Sequence, residues 1–165
     1  MMPPFKYPKV PPKPRTSLPI ATIVGESPNS QGVDKYDTMS GKKLFALMGV
    51  ELPWWNIHGA EPPRWSAKVA RARTLDWLKM RPGADEPLIL LGRKVCAAFG
   101  VVNEPWLEWY RVPTHGHPMI AMPHPSSRNS WWHVPGNIEL ARALLVSIVK
   151  KEVPHYDLTI KDETA

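Results

Sequence analysis

Two short stretches gather most of the side chains in this chain that could do chemistry. One reads Gly25-Glu26-Ser27-Pro28-Asn29 and the other His124-Pro125-Ser126-Ser127-Arg128-Asn129-Ser130-Trp131-Trp132-His133. Gly25-Glu26-Ser27-Pro28 has the outline of a serine-hydrolase elbow. The residue after such a serine must offer its backbone N–H to an oxyanion, and Pro28 has none. A metal set would draw on His115, His117, His124 and His133, yet Gly and Pro around the first two point to a turn, and no flanking acid or cysteine completes a set. The single cysteine, Cys96, excludes a disulfide framework and a four-cysteine zinc or iron–sulfur site. No Gly-x-Gly-x-x-Gly follows the first apolar run, so a dinucleotide fold is not expected. Neither a metal nor a cofactor is expected. What remains is a carboxylate, Glu26, and an imidazole, His124.

The surrounding pattern says how these two groups are held. Ile20-Ala21-Thr22-Ile23-Val24 is apolar, partly β-branched and ends at Gly25, as a buried parallel strand does. Ser40 is the expected cap of a helix through Met48, with Leu44, Leu47 and Met48 inward and Gly49 at its end. Residues 50–65 read as a Trp- and Pro-rich loop. Ser66 is expected to cap a helix to about Met80, with Val69, Ala70, Leu75 and Leu78 as its apolar face among five basic residues. Leu88–Leu91 is a second buried strand, turned by Gly92 into a short helix over Arg93–Phe99. Further strands are expected at Trp109–Val112 and Met119–Met122. Asn137 is the expected cap of a last helix with Ile138, Ala141, Leu144, Leu145 and Ile148 on one face.

Strands alternating with helices imply a single α/β domain, with a central, mostly parallel sheet flanked by helices on both faces. The domain spans 20–152, between an arm at 1–19 and a tail at 153–165. In open parallel sheets, ligands bind beyond the carboxyl ends of the strands, where both polar stretches fall.

The two stretches also carry a resemblance. Gly25-Glu26-Ser27-Pro28 is similar to the Gly-Glu-Ala-Pro loop of the iron–sulfur branch of the uracil-DNA glycosylase superfamily, and Ser40-Gly41-Lys42-Lys43-Leu44 to the helix start that follows it there. Leu90-Leu91-Gly92-Arg93 with Ala97-Ala98-Phe99-Gly100 resembles that branch's strand–helix segment. His124-Pro125-Ser126-Ser127-Arg128-Asn129 is closer to the His-Pro-Ser-Pro-Arg-Asn loop of the single-strand-selective branch. The resemblance covers about residues 20–150 and implies excision of uracil or a related pyrimidine from DNA after base flipping. Under it, His124 donates to O2 of the leaving base, while Glu26 orients water or stabilises the sugar cation. Gly25, Ser27, Pro28 and Asn29 line the substrate loop, and Ser126 holds the flanking phosphate. Asn56 and Tyr36 are the candidates for reading the base edge and stacking on its face. Ser127, Arg128, Asn129, Trp131 and Trp132 would contact DNA, with a Trp as wedge. The chain departs from these branches at Ser27, where several carry Asp or Asn, at Asn29, and in lacking the cluster cysteines. Those departures keep a second reading open, a protein on the same fold that binds modified or unpaired bases, or another protein, without cutting.

Composition is consistent with a nucleic-acid partner. The 165 residues carry a formal net charge of +6 and a pI near 9.6, which favours a polyanion. Residues 1–19 hold seven prolines with Lys6, Lys9, Lys13, Arg15 and no acid, a basic arm suited to extended conformations. No run of apolar residues is long enough to cross a bilayer and no signal peptide is visible, so a cytoplasmic monomer is expected.

Overall fold

The computed structural model describes residues 21–26, 36, 38–58, 65–81, 86–102, 105–111, 116–126, 128–150 and 159–160. The arm, Ser27, Pro28, Asn29 and Ser127 lie outside them. In chain order the elements are β1 (Thr22–Gly25), α1 (Met39–Met48), β2 (Trp54–Asn56), α2 (Ala67–Lys79), β3 (Leu88–Leu91) and α3 (Arg93–Ala98). Then come β4 (Trp109–Arg111), β5 (Pro118–Met122), a 3-10 turn (Ser130–His133), α4 (Asn137–Val149) and β6 (Thr159–Ile160).

The sheet order is β2-β1-β3-β5-β4-β6. β1 pairs in parallel with β2 and β3, β3 in parallel with β5, and β4 runs antiparallel to β5. The expected α/β class with a mostly parallel sheet is therefore present. From β1 the chain steps to β2 on one side and then returns to β3 on the other. The order reverses between β1 and β3, the position beyond whose carboxyl ends ligands bind in open α/β sheets.

Every residue of β1, β3 and β5 is buried, so these strands read as unbroken apolar runs rather than alternating ones. One face of the sheet packs Val24, Leu88, Leu90, Met119 and Ala121 with α2 and α3 residues such as Ala70, Leu78, Val95 and Ala98. The other packs Ile23, Ile89, Leu91, Ile120 and Met122 with Leu44 and Leu47 of α1 and Ala141, Leu145 and Ile148 of α4. A right-handed crossover in each direction of travel puts α1 on one face and both α2 and α3 on the other. Among the described residues no helix is long and apolar enough to cross a membrane.

Four local expectations change. Residues 50–65 are not wholly a loop, because Trp54–Asn56 pairs with Ile23–Gly25 as an edge strand. Thr38, not Ser40, caps α1, its hydroxyl accepting the Gly41 N–H at 3.0 Å. Gly136 precedes the first turn of α4 and Asn137 lies inside it, donating from Nδ2 to Trp131 O at 2.9 Å. On α2 the inward stripe is Ala70, Thr74 and Leu78, while Val69 is 41% and Leu75 37% exposed. The spacing of four residues around Ala70 wins over side-chain apolarity because α2 lies against α3 and its buried Ala98.

Candidate functional site at the carboxyl ends of β1, β2 and β5

Gly25 ends β1 opposite Asn56, the last residue of β2. A Cβ on Gly25 would stand 2.5 Å from Asn56 Oδ1 and 2.9 Å from Trp54 Nε1, so only glycine lets these side chains lie across the strand end. The Trp54 indole N–H donates to Asn56 Oδ1 at 3.1 Å. That bond fixes which end of the amide is oxygen and leaves the Nδ2 hydrogens and one Oδ1 lone pair for a ligand. The ladder continues past the strands, with Ile57 N–H on Gly25 O at 3.0 Å and His58 N–H on Glu26 O at 2.9 Å.

His124 stands two residues beyond β5, half-buried. Its Nδ1 accepts the backbone N–H of Ser126 at 3.2 Å. The proton of a neutral ring therefore sits on Nε2, which becomes a donor. Burial holds His124 below its usual range, opposed by the Glu26 carboxylate, so the ring is neutral near pH 7. Its backbone is pinned from behind, since Trp132 Nε1–H donates to His124 O at 2.8 Å. Gly92, at φ +91°, turns β3 into α3 directly beneath the ring, and a Cβ there would meet His124 Cβ at 3.6 Å.

Glu26 is half-buried at the end of β1. Its carboxylate is within electrostatic reach of two imidazoles, His124 and His58. His58 is 4% exposed, and its Nε2 is buried without a hydrogen-bond partner. Burial first, then the Arg73 guanidinium, lowers its affinity for a proton, again against Glu26. Arg73 itself donates to Ile57 O at 3.2 Å, tying α2 to this corner. A carboxylate, a neutral Nε2–H donor, an oriented amide and a second buried imidazole thus converge at one end of the sheet. His58 and Trp54 were missed in the sequence because their positions follow from the edge strand β2.

The other sequence candidates are placed unevenly. Tyr36 is next to the site through Trp54, meeting it edge-on at 5.3 Å, but its hydroxyl accepts from Leu52 N and donates to Leu52 O at 2.9 and 2.8 Å. Its hydroxyl serves as a clamp on the residues leading into β2. Ser126 Oγ accepts the Arg128 N–H at 3.2 Å, and Asn129 Oδ1 accepts the Trp131 N–H at 3.0 Å, so both shape the turn after His124. Arg128 is exposed and Trp131 half-buried. Trp132 is 2% exposed among Leu44, Met122 and Leu145, with Lys43 Nζ 4.9 Å from its ring centroid. Its ring is core, which removes it from the expected wedge pair. His117 lies at the start of β5 with Nδ1 3.0 Å from Glu86 O, at the opposite end of the strand from His124. Among the described residues, no three His, Cys, Asp or Glu side chains gather to hold a metal. Cys96 is buried in α3 and its thiol is pushed up to about 12 by burial, which leaves it no nucleophilic thiolate at neutral pH.

No protein-family model matches this chain, and no relative was found among curated proteins.

Proposed function

We propose that the protein has a uracil-DNA glycosylase-like fold and acts as a DNA N-glycosylase, excising uracil or a related modified pyrimidine from a flipped-out nucleotide. The observation that carries this reading is the Ser126 N–H on His124 Nδ1, which makes Nε2–H the donor of a neutral ring at the carboxyl end of β5. As the bond between C1′ and the base breaks, its electron pair leaves with the base, and His124 Nε2–H stabilises the charge arriving at O2. Glu26 faces the cationic sugar and orients a water. That water bonds through oxygen to C1′ and gives up one proton, and the departing base takes one, so the sum is hydrolysis to an abasic site and a free base. Asn56 offers the pyrimidine edge both a donor and an acceptor, in an orientation that Trp54 keeps.

Excision from uracil-containing oligonucleotides, followed under single turnover by alkaline cleavage of abasic sites, tests the reading. His124→Ala is expected to slow it by about a hundredfold or more, the scale of losing one preorganised donor to a developing anion. A His124→Ala protein as fast as wild type overturns the mechanism. Ser27, where several related branches carry Asp or Asn, favours the second reading, a base-binding protein that does not cut. Binding of these oligonucleotides without excision of any pyrimidine lesion would establish it.

A further inference from the structure

A shallow cavity of about 290 Å³ opens between the start of α2 and the outer side of α3, lined by Trp65, Ala67, Arg93, Lys94, Ala97 and Ala98. Three alanines give it a floor without side-chain bulk, and the half-buried Trp65 indole gives it an aromatic wall. Lys94 Nζ stands 5.9 Å from the Trp65 ring centroid, and Arg93 stacks on Trp106 at 3.7 Å. Arg93 and Lys94 are exposed, Lys68 is exposed one helical step away on α2, and among the described residues no acid lines the cavity.

Two of the lining residues adjoin the candidate site, Trp65 through His58 and Arg93 through Gly92. α3 begins at Gly92, which lies under the His124 ring. His58 touches Trp65 edge-on at 4.8 Å and holds Glu26 O through its own backbone N–H. A flat aromatic wall with adjacent cations and a small-residue floor suits a planar ring joined to an anion. An apolar peptide would leave the cations unused, and a bare anion would leave the indole unused. A polynucleotide strand leaving the site supplies both.

We infer that this groove is a nucleotide subsite, which takes the base and phosphate of the residue adjoining the flipped-out nucleotide in the same DNA strand. The inference rests on the proposed base-binding role of the neighbouring site. The base stacks on Trp65, and its phosphate lies against Lys94 and Arg93. Single-stranded or locally opened DNA is the form that fits, since a paired base cannot present its face to an indole.

The test is equilibrium binding of a fluorescein-labelled single-stranded pentamer, thymidines around one central uracil, by fluorescence anisotropy. Trp65→Leu keeps apolar bulk against the core and removes the stacking surface, and is expected to weaken binding about fivefold or more, the lower range for one base–aromatic stack. Lys94→Glu, on the exposed side of α3, needs no repacking and is expected to weaken binding at 50 mM salt by about tenfold while flattening its salt dependence. In 15N-labelled protein, the indole Nε1–H resonance assigned to Trp65 by its absence in Trp65→Phe should shift on titration. Unchanged affinity in both binding variants, with an unmoved Trp65 resonance, overturns the subsite while leaving the base-binding site standing. A wild-type protein that binds no pentamer at all overturns both.

Discussion

His58 and His124 share the Glu26 carboxylate as a neighbour, and in both rings burial outweighs it. Each therefore binds a proton more weakly folded than unfolded. The stability they contribute is complete above the ordinary histidine value of 6.5 and is lost as pH falls through the lower folded values. Melting temperature is expected to be flat from about pH 8 to 7 and to fall as pH drops below about 6.5. His58→Phe should reduce that fall and, by removing a buried nitrogen without a partner, add about 1 kcal/mol at pH 7.5 in urea titrations. A variant that is stabilised yet binds or excises poorly would place His58 in the working site.

Gly25→Ala addresses the same corner. The added Cβ meets two side-chain atoms, Asn56 Oδ1 and Trp54 Nε1, rather than backbone, so these swing away and the strand survives. Thermal unfolding should stay cooperative, while affinity for a uracil-containing oligonucleotide falls about tenfold or more, the worth of one or two displaced hydrogen bonds. Binding equal to wild type would mean that Asn56 does not read the base. Glu26 and His124 were visible in the sequence because each follows an apolar run that ends at a turn. His58 and Trp54 were not, since what they do depends on a lateral neighbour that one-dimensional spacing does not name.

Among the elements, β1, β3, β5 and the C-terminal ends of α1, α2 and α3 were legible, since buried parallel strands and Gly or Pro-Gly stops leave strong local marks. β2 was not, because the three residues Trp54–Asn56 are too few for any period, and their pairing with β1 comes from the sheet. The face of α2 was misjudged for a related reason. Thr74 is fully buried while Val69 and Leu75 are not, so position on the helix overrode side-chain type. Its Oγ1 has no hydrogen-bond partner. Thr74→Val replaces that hydroxyl with a methyl group of similar size and should stabilise the protein by about 1 kcal/mol, seen as a higher urea midpoint at unchanged slope. A loss of stability would mean that the hydroxyl is satisfied in solution, for example by a water.

For the whole molecule, the decisive property is where the positive charge lies. The α2–α3 face carries Lys68, Arg71, Arg73, Lys79, Arg81, Arg93 and Lys94 against Asp76 and Glu86. Glu86 is taken up by Arg81 and Thr22. Arg71 donates to Ala98 O at 2.7 Å and Arg73 to Ile57 O, so part of this charge brackets the fold itself. Lys68, Lys79, Arg93 and Lys94 are exposed and can displace counterions from a strand. Four such contacts on single-stranded DNA imply a slope of about −3 in log affinity against log salt, or roughly a 60-fold loss between 50 and 200 mM. Lys68→Glu with Lys79→Glu should reduce the slope toward about half, because those two contacts no longer release counterions. His124→Ala should lower excision and leave the slope unchanged, since a neutral ring releases none. A double variant with the wild-type slope would move the DNA off this face and onto the residues around Arg128, and an affinity that does not vary with salt would rule out phosphate contacts altogether.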